Sequence, residues 1–211
     1  MKEATVIGLT GGIACGKTTI ARVLRRLGAV IIDADREAKR VIKPRSSAWD
    51  KLVRIHGREI LNPDGSINRR RLGNKVFGDK EALAQLNNIV HPETMRVIKE
   101  KIKDFKNEQR WPAVVLDAPL LFEAGAETLV DVVWVVKVDS ETQVNRLINR
   151  DGMTQEQALK RIESQMPLEE KEIRADAVID NTGTRRETRE QVMNLWYNYV
   201  PGDDNGEKKN E

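Results

Sequence analysis

The run Gly11-Gly12-Ile13-Ala14-Cys15-Gly16-Lys17-Thr18 fits the pattern G-x-x-x-x-G-K-[ST]. These residue types suit one task, the holding of a polyphosphate. Glycines let the backbone curl so that successive N–H groups point at phosphate oxygens. Lys17 supplies a cation for the β- and γ-phosphates, and the Thr18 hydroxyl is placed to ligate Mg²⁺. Thr19 lies in the same first turn of a helix, whose N-terminal end adds partial positive charge. Ile13, Ala14 and Cys15 fill variable slots and serve through their backbone N–H groups, so Cys15 reads as a small loop residue and not a nucleophile. The expected ligands are ATP and Mg²⁺.

Phosphoryl transfer also needs a carboxylate to accept the attacking hydroxyl's proton, and often one to hold metal-bound water. Four aspartates stand at or near expected strand ends: Asp33, Asp117, Asp139 and Asp180. Ligands of parallel α/β sheets bind beyond those ends. Asp33 follows the strand after the glycine loop and is the first choice for base. Asp117 is a metal or substrate contact, while Asp139 and Asp180 read as helix caps or turn residues. Arg146 and Arg150, four apart on one expected helix, share a face. With Arg161 on the next helix they could close over the nucleotide, or form a solvated basic face. Arg69-Arg70-Arg71 is a second basic cluster, suited to a substrate phosphate or to the surface.

The elements needed to position these groups are legible as patterns. Ala4 to Leu9 is a β-branched apolar run before the loop, and Lys17 to Leu27 carries a helical stripe stopped at Gly28. Ala29 to Ile32 is a second strand. This β–loop–α–β order builds a parallel sheet with crossover helices. From Asp35 to about Phe105 the pattern is helical, with breaks at Pro44, at the turn Asn62-Pro63-Asp64-Gly65 and near His91-Pro92. Strands resume at Ala113 to Asp117, Val132 to Val138 and Ala177 to Asp180. Capping boxes open helices at Ser140 with Gln143, Thr154 with Gln157 and Thr184 with Glu187. Pro201 to Glu211 lacks apolar residues and reads as a disordered tail.

Composition narrows the classes. The 211 residues suit one globular unit with room for an inserted subdomain. Net charge is only +3, spread along the chain, which argues against nucleic acid as partner. A single cysteine excludes an internal disulfide and a cysteine-cluster metal site. The N-terminus leads straight into a strand, and no apolar run approaches the roughly 20 residues of a membrane span. A cytoplasmic protein is expected, without a membrane partner; oligomeric state stays open, with a monomer compatible.

Further stretches join the glycine loop in carrying a resemblance over nearly the whole chain. They are Ile32-Asp33-Ala34-Asp35, Asp64-Gly65 with Arg69 and Leu72, Leu86-Asn87 with His91-Pro92, and Asp117-Ala118-Pro119-Leu120-Leu121-Phe122-Glu123. Gln143, Arg146, Arg150-Asp151, Arg161, Gln165 and Val178-Ile179-Asp180-Asn181 with Gly183 complete them. Together they resemble the dephospho-coenzyme A kinases. The resemblance implies phosphorylation of the ribose 3′-hydroxyl of dephospho-CoA by ATP, the last step of coenzyme A synthesis. It also implies a P-loop kinase core, an α/β fold with a five-stranded parallel sheet flanked by helices, formed by 1–34, 108–138 and 175–200. A helical acceptor subdomain would span 35–107, a helical lid 139–174, and the tail 201–211. By position, Asp33 would be the base, Lys17, Arg146 and Arg150 its catalytic partners, and the Asn181 loop would lie near adenine. Asp33, Arg69, His91, Asp117, Leu120 and Arg161 would meet the acceptor. Ala14-Cys15 departs from the Gly-Ser more usual there, with a mild effect expected. The residues alone also admit a kinase for a nucleoside monophosphate. A GTPase switch fits poorly, since Asn74-Lys75-Val76-Phe77 lacks the aspartate of N-K-x-D.

Overall fold

A computed structural model describes residues 3–76 and 78–201. β1 (Thr5–Gly11), β2 (Val30–Asp33), β3 (Ala113–Asp117), β4 (Val132–Lys137) and β5 (Ala177–Asp180) form one sheet in the order β2-β3-β1-β4-β5. The registered pairs are parallel: Leu9 faces Asp117 on β3 and Trp134 on β4, and Gly11 faces Val136. The three central strands are almost wholly buried, which accounts for their unbroken Val, Ile and Leu runs. Because β1 lies centrally, with β3 on one side and β4 on the other, connections diverge around its carboxyl end. That divergence opens the crevice in which α/β sheets bind ligands.

The chain forms two compact units, residues 1–32 with 102–211, and residues 33–101. In the first, α1 (Lys17–Arg26) and α9 (Arg185–Tyr199) cover one core built on Ile7, Leu9, Ile20, Leu24, Trp134 and Val192. The expected lid segment belongs to this unit as α6 (Ser140–Asp151), α7 (Gln155–Glu163) and a short α8 (Leu168–Ile173) that no sequence pattern announced.

The second unit carries α2 (Ala34–Val41), α3 (Ser47–His56), α4 (Arg69–Val76) and most of α5 (Lys80–Glu108) around Leu52, Ile60, Leu72 and Val76. The turn at Asn62 closes as expected, with the Gly65 N–H donating to the Asn62 carbonyl (3.0 Å). The expected break at His91-Pro92 is wrong: α5 runs through Pro92. Proline removes one amide donor, at a cost of about 3 kcal/mol. Flanking anchors offset that, because Ile89 and Val90 pack on the unit's core and Ile98 is buried.

Two of the three expected capping boxes are present, at Thr154 and Thr184. The third is not: Asp139, not Ser140, caps α6, accepting from the Thr142 N–H. Charge decides this, since a carboxylate is the stronger acceptor at a helix N-terminus. Positions 202–211 of the expected tail lie outside the described residues. No described helix is long and apolar enough to cross a membrane.

Candidate nucleotide site

The loop after β1 is shaped by two backbone constraints. Gly11 adopts φ 147°, where a Cβ would collide with the Val136 carbonyl, and Gly16 adopts φ 91°, where a Cβ would strike the Asn181 amide nitrogen. Side chains at these positions would break the loop, which explains the two glycines.

Three consecutive loop carbonyls are engaged by long-range donors. Gln143 Nε2 donates to the Ile13 carbonyl (2.8 Å), Arg146 Nη1 to Ala14 (3.3 Å) and Asn181 Nδ2 to Cys15 (2.8 Å). In a trans peptide the N–H of the following residue points the opposite way. With these carbonyls engaged within the protein, the loop has backbone N–H groups to offer an anion. α1 starts here with no side-chain cap and no acidic residue in its first turn, so its positive end is left for a ligand. These features fit a triphosphate.

Lys17 Nζ lies 3.8 Å from Asp117 Oδ1, both side chains mostly buried, so the loop cation and the aspartate ending β3 are brought together. Thr18 and Thr19 are exposed at the mouth of the loop. Cys15 is fully buried, and burial pushes its thiol pKa up, so it stays a neutral loop residue.

The two α6 arginines differ in their partners. Arg146 bridges the Ala14 carbonyl and the Asn181 carbonyl (3.0 Å). Arg150 is held in a bidentate pair with Asp151, both contacts 2.8 Å, which raises its pKa and lowers that of the aspartate. Arg161 is exposed on α7. Asn181 is buried, its Oδ1 accepting from Thr188 (3.0 Å), so its side chain braces the phosphate loop from behind. Asp139 and Asp180 are structural: the Thr142 and Thr182 hydrogen bonds lower both carboxyl pKa values.

Leu120 is 44% exposed on the turn after β3. In the second unit, Asp33 is exposed and its Oδ1 caps α2 by accepting from the Arg36 N–H (2.9 Å). Arg69 opens α4 and His91 is half-buried on α5.

The sequence offered Gln143 as a capping residue and, with Gln165, as part of the family resemblance, without a contact for either; in the structure Gln143 braces Ile13, and Gln165 Oε1 accepts the Ile13 N–H from the other side (2.9 Å). Nothing local could reveal either contact. A family model described as dephospho-CoA kinase matches residues 5–187. The chain belongs to the dephospho-CoA kinase family. A curated dephospho-CoA kinase from Carboxydothermus hydrogenoformans is 49% identical over 191 residues, 90% of this chain and 92% of that protein. Among solved structures, one from Thermus thermophilus has a TM-score of 0.82 at 35% identity, covering 95% of this chain and all of that one (100%). The dephospho-CoA kinase from Campylobacter jejuni has a TM-score of 0.65 at 28% identity, covering 94% and 99%.

Proposed function

We propose that this protein transfers the γ-phosphoryl group of ATP to the ribose 3′-hydroxyl of dephospho-CoA, completing coenzyme A. The carrying observation is the family match across residues 5–187, which includes the phosphate loop and the Asp117–Glu123 stretch. The loop amides and the α1 end bind the phosphates, and Lys17 turns from Asp117 toward the β- and γ-oxygens. Mg²⁺, held through the Thr18 hydroxyl, would supply charge neutralisation on the triphosphate.

Asp33 is the base: its Oδ1 is engaged by the Arg36 N–H, which orients the carboxylate while its other oxygen accepts the 3′-hydroxyl proton. Arg150, released from Asp151, stabilises charge on the transferred group, and Arg146 holds the loop in shape. Arg69, His91, Asp117, Leu120 and Arg161 contact the acceptor, Asn181 backs the nucleotide, and 139–174 acts as the lid over a cytoplasmic enzyme's active site.

Turnover with dephospho-CoA against a panel of nucleoside monophosphates tests the acceptor. Phosphorylation of dephospho-CoA alone is expected. Preferential turnover of a nucleoside monophosphate would overturn it.

A further inference from the structure

Lys171 on α8 is fully buried, although it sits in the charged run Leu168-Glu169-Glu170-Lys171-Glu172. Its ammonium reaches the turn after β3, meeting Glu123 Oε1 at 2.8 Å and donating to the Pro119 carbonyl at 3.0 Å. The same carbonyl accepts from the buried Thr10 hydroxyl on β1 (3.2 Å), just before the phosphate loop. Glu123 Oε1 also accepts the Met166 N–H (3.2 Å) at the approach to α8. One turn beyond Lys171, the Arg174 guanidinium lies 4.2 Å over the Phe122 ring and pairs with Glu127 (2.6 Å).

A buried ion pair is weak evidence of stabilisation, because desolvation cancels much of its attraction, and an apolar residue of similar volume is often no worse. What such a pair does supply is direction. Here one ammonium sets the orientation of the Pro119 peptide and the Glu123 side chain, the two ends of the turn that presents Leu120 to solvent. We infer that Lys171 is a positioning residue for the acceptor: it clamps the 119–123 turn to the returning leg of the 139–174 segment, so that Asp117 and Leu120 are held in place for dephospho-CoA. This rests on the proposed acceptor contacts of Asp117 and Leu120.

The test compares Lys171→Met, Glu123→Gln, their double variant and Leu120→Ala by steady-state kinetics on both substrates, with melting temperatures alongside. Lys171→Met is expected to raise KM for dephospho-CoA about tenfold while KM for ATP changes less than about twofold. Glu123→Gln should move the same way, with the double variant no worse than Lys171→Met, as for two groups acting as one unit. A lowered melting temperature with both KM values unchanged, or equal rises in both, would make Lys171 a packing residue and overturn the proposal. If Lys171→Met does not fold, Glu123→Gln alone decides by the same KM split. Leu120→Ala separates the two readings. A raised dephospho-CoA KM for Leu120→Ala but not for Lys171→Met sinks the clamp alone. The reverse supports the clamp and removes Leu120 from the acceptor contacts.

Discussion

Lys17 and Asp117 form the pairing on which the nucleotide reading turns. Lys17→Ala should fold normally, since the pair is long at 3.8 Å, yet lose about 10²-fold or more in turnover. Near-normal turnover would remove the loop as phosphate site. Asp33 carries two tasks that substitution can separate. Asparagine caps helices as well as aspartate does, so Asp33→Asn keeps α2 while removing the proton acceptor, and turnover should fall by ~10²–10⁴ with little change in ATP affinity. Asp35→Asn, inside the first turn of α2, should be milder; the opposite ranking would show the wrong carboxylate had been chosen. The arginines should also part company. Among the described residues Arg150 pairs with its exposed neighbour Asp151, and such surface pairs add little to stability, so Arg150→Ala should lower kcat and kcat/KM together without moving Tm. Arg146→Ala removes donors from two backbone carbonyls and should raise KM for ATP as well. Identical kinetic signatures for the two variants would contradict this division of labour.

α3 ends at His56, which is buried with its Nε2 lacking a partner among the described residues, while its carbonyl accepts from Lys75 Nζ (2.7 Å). Burial, and secondarily the nearby Lys75 charge, push its pKa below the ordinary 6.5. The unfolded chain therefore binds more protons in this window, so stability from neutral His56 is complete above pH 6.5 and is lost as pH falls through the folded pKa. Replacing His56 by asparagine should flatten the decline in Tm between neutral and mildly acidic pH. An unchanged slope would assign acid sensitivity elsewhere. At this scale local chemistry was often enough. Thr154 and Thr184 were readable as caps because donor and acceptor lie three residues apart. Asp139 displaced Ser140, and α5 passed through Pro92, because a charge or a buried flank outweighed the local preference.

Across the whole chain, Trp134 shows how the sheet is held. It is fully buried on β4, sets its ring edge-on to Tyr199 of α9 at 5.9 Å, and leaves its indole N–H without a partner among the described residues. Trp134→Phe gives up area but removes that orphaned donor, so it should cost under about 1.5 kcal/mol, against ~3–5 for Trp134→Ala in urea unfolding. Equal costs would mean that the indole's shape, not its volume, matters. The sequence by itself determined the parallel sheet, the bounds of β3 and β5, the phosphate loop and the turn at Asn62, because each is written in neighbouring residues through period, glycine placement or capping chemistry. Tertiary structure alone decided what surrounds the loop: Gln143 and Arg146 on its carbonyls, Asn181 behind Cys15, Lys171 beneath Pro119. Those partners lie between 52 and 166 residues apart in the chain. A glutamine or lysine looks the same locally whether it faces solvent or a buried carbonyl. Only the packing of strands and helices determines which carbonyls lose water and must find a donor within the protein.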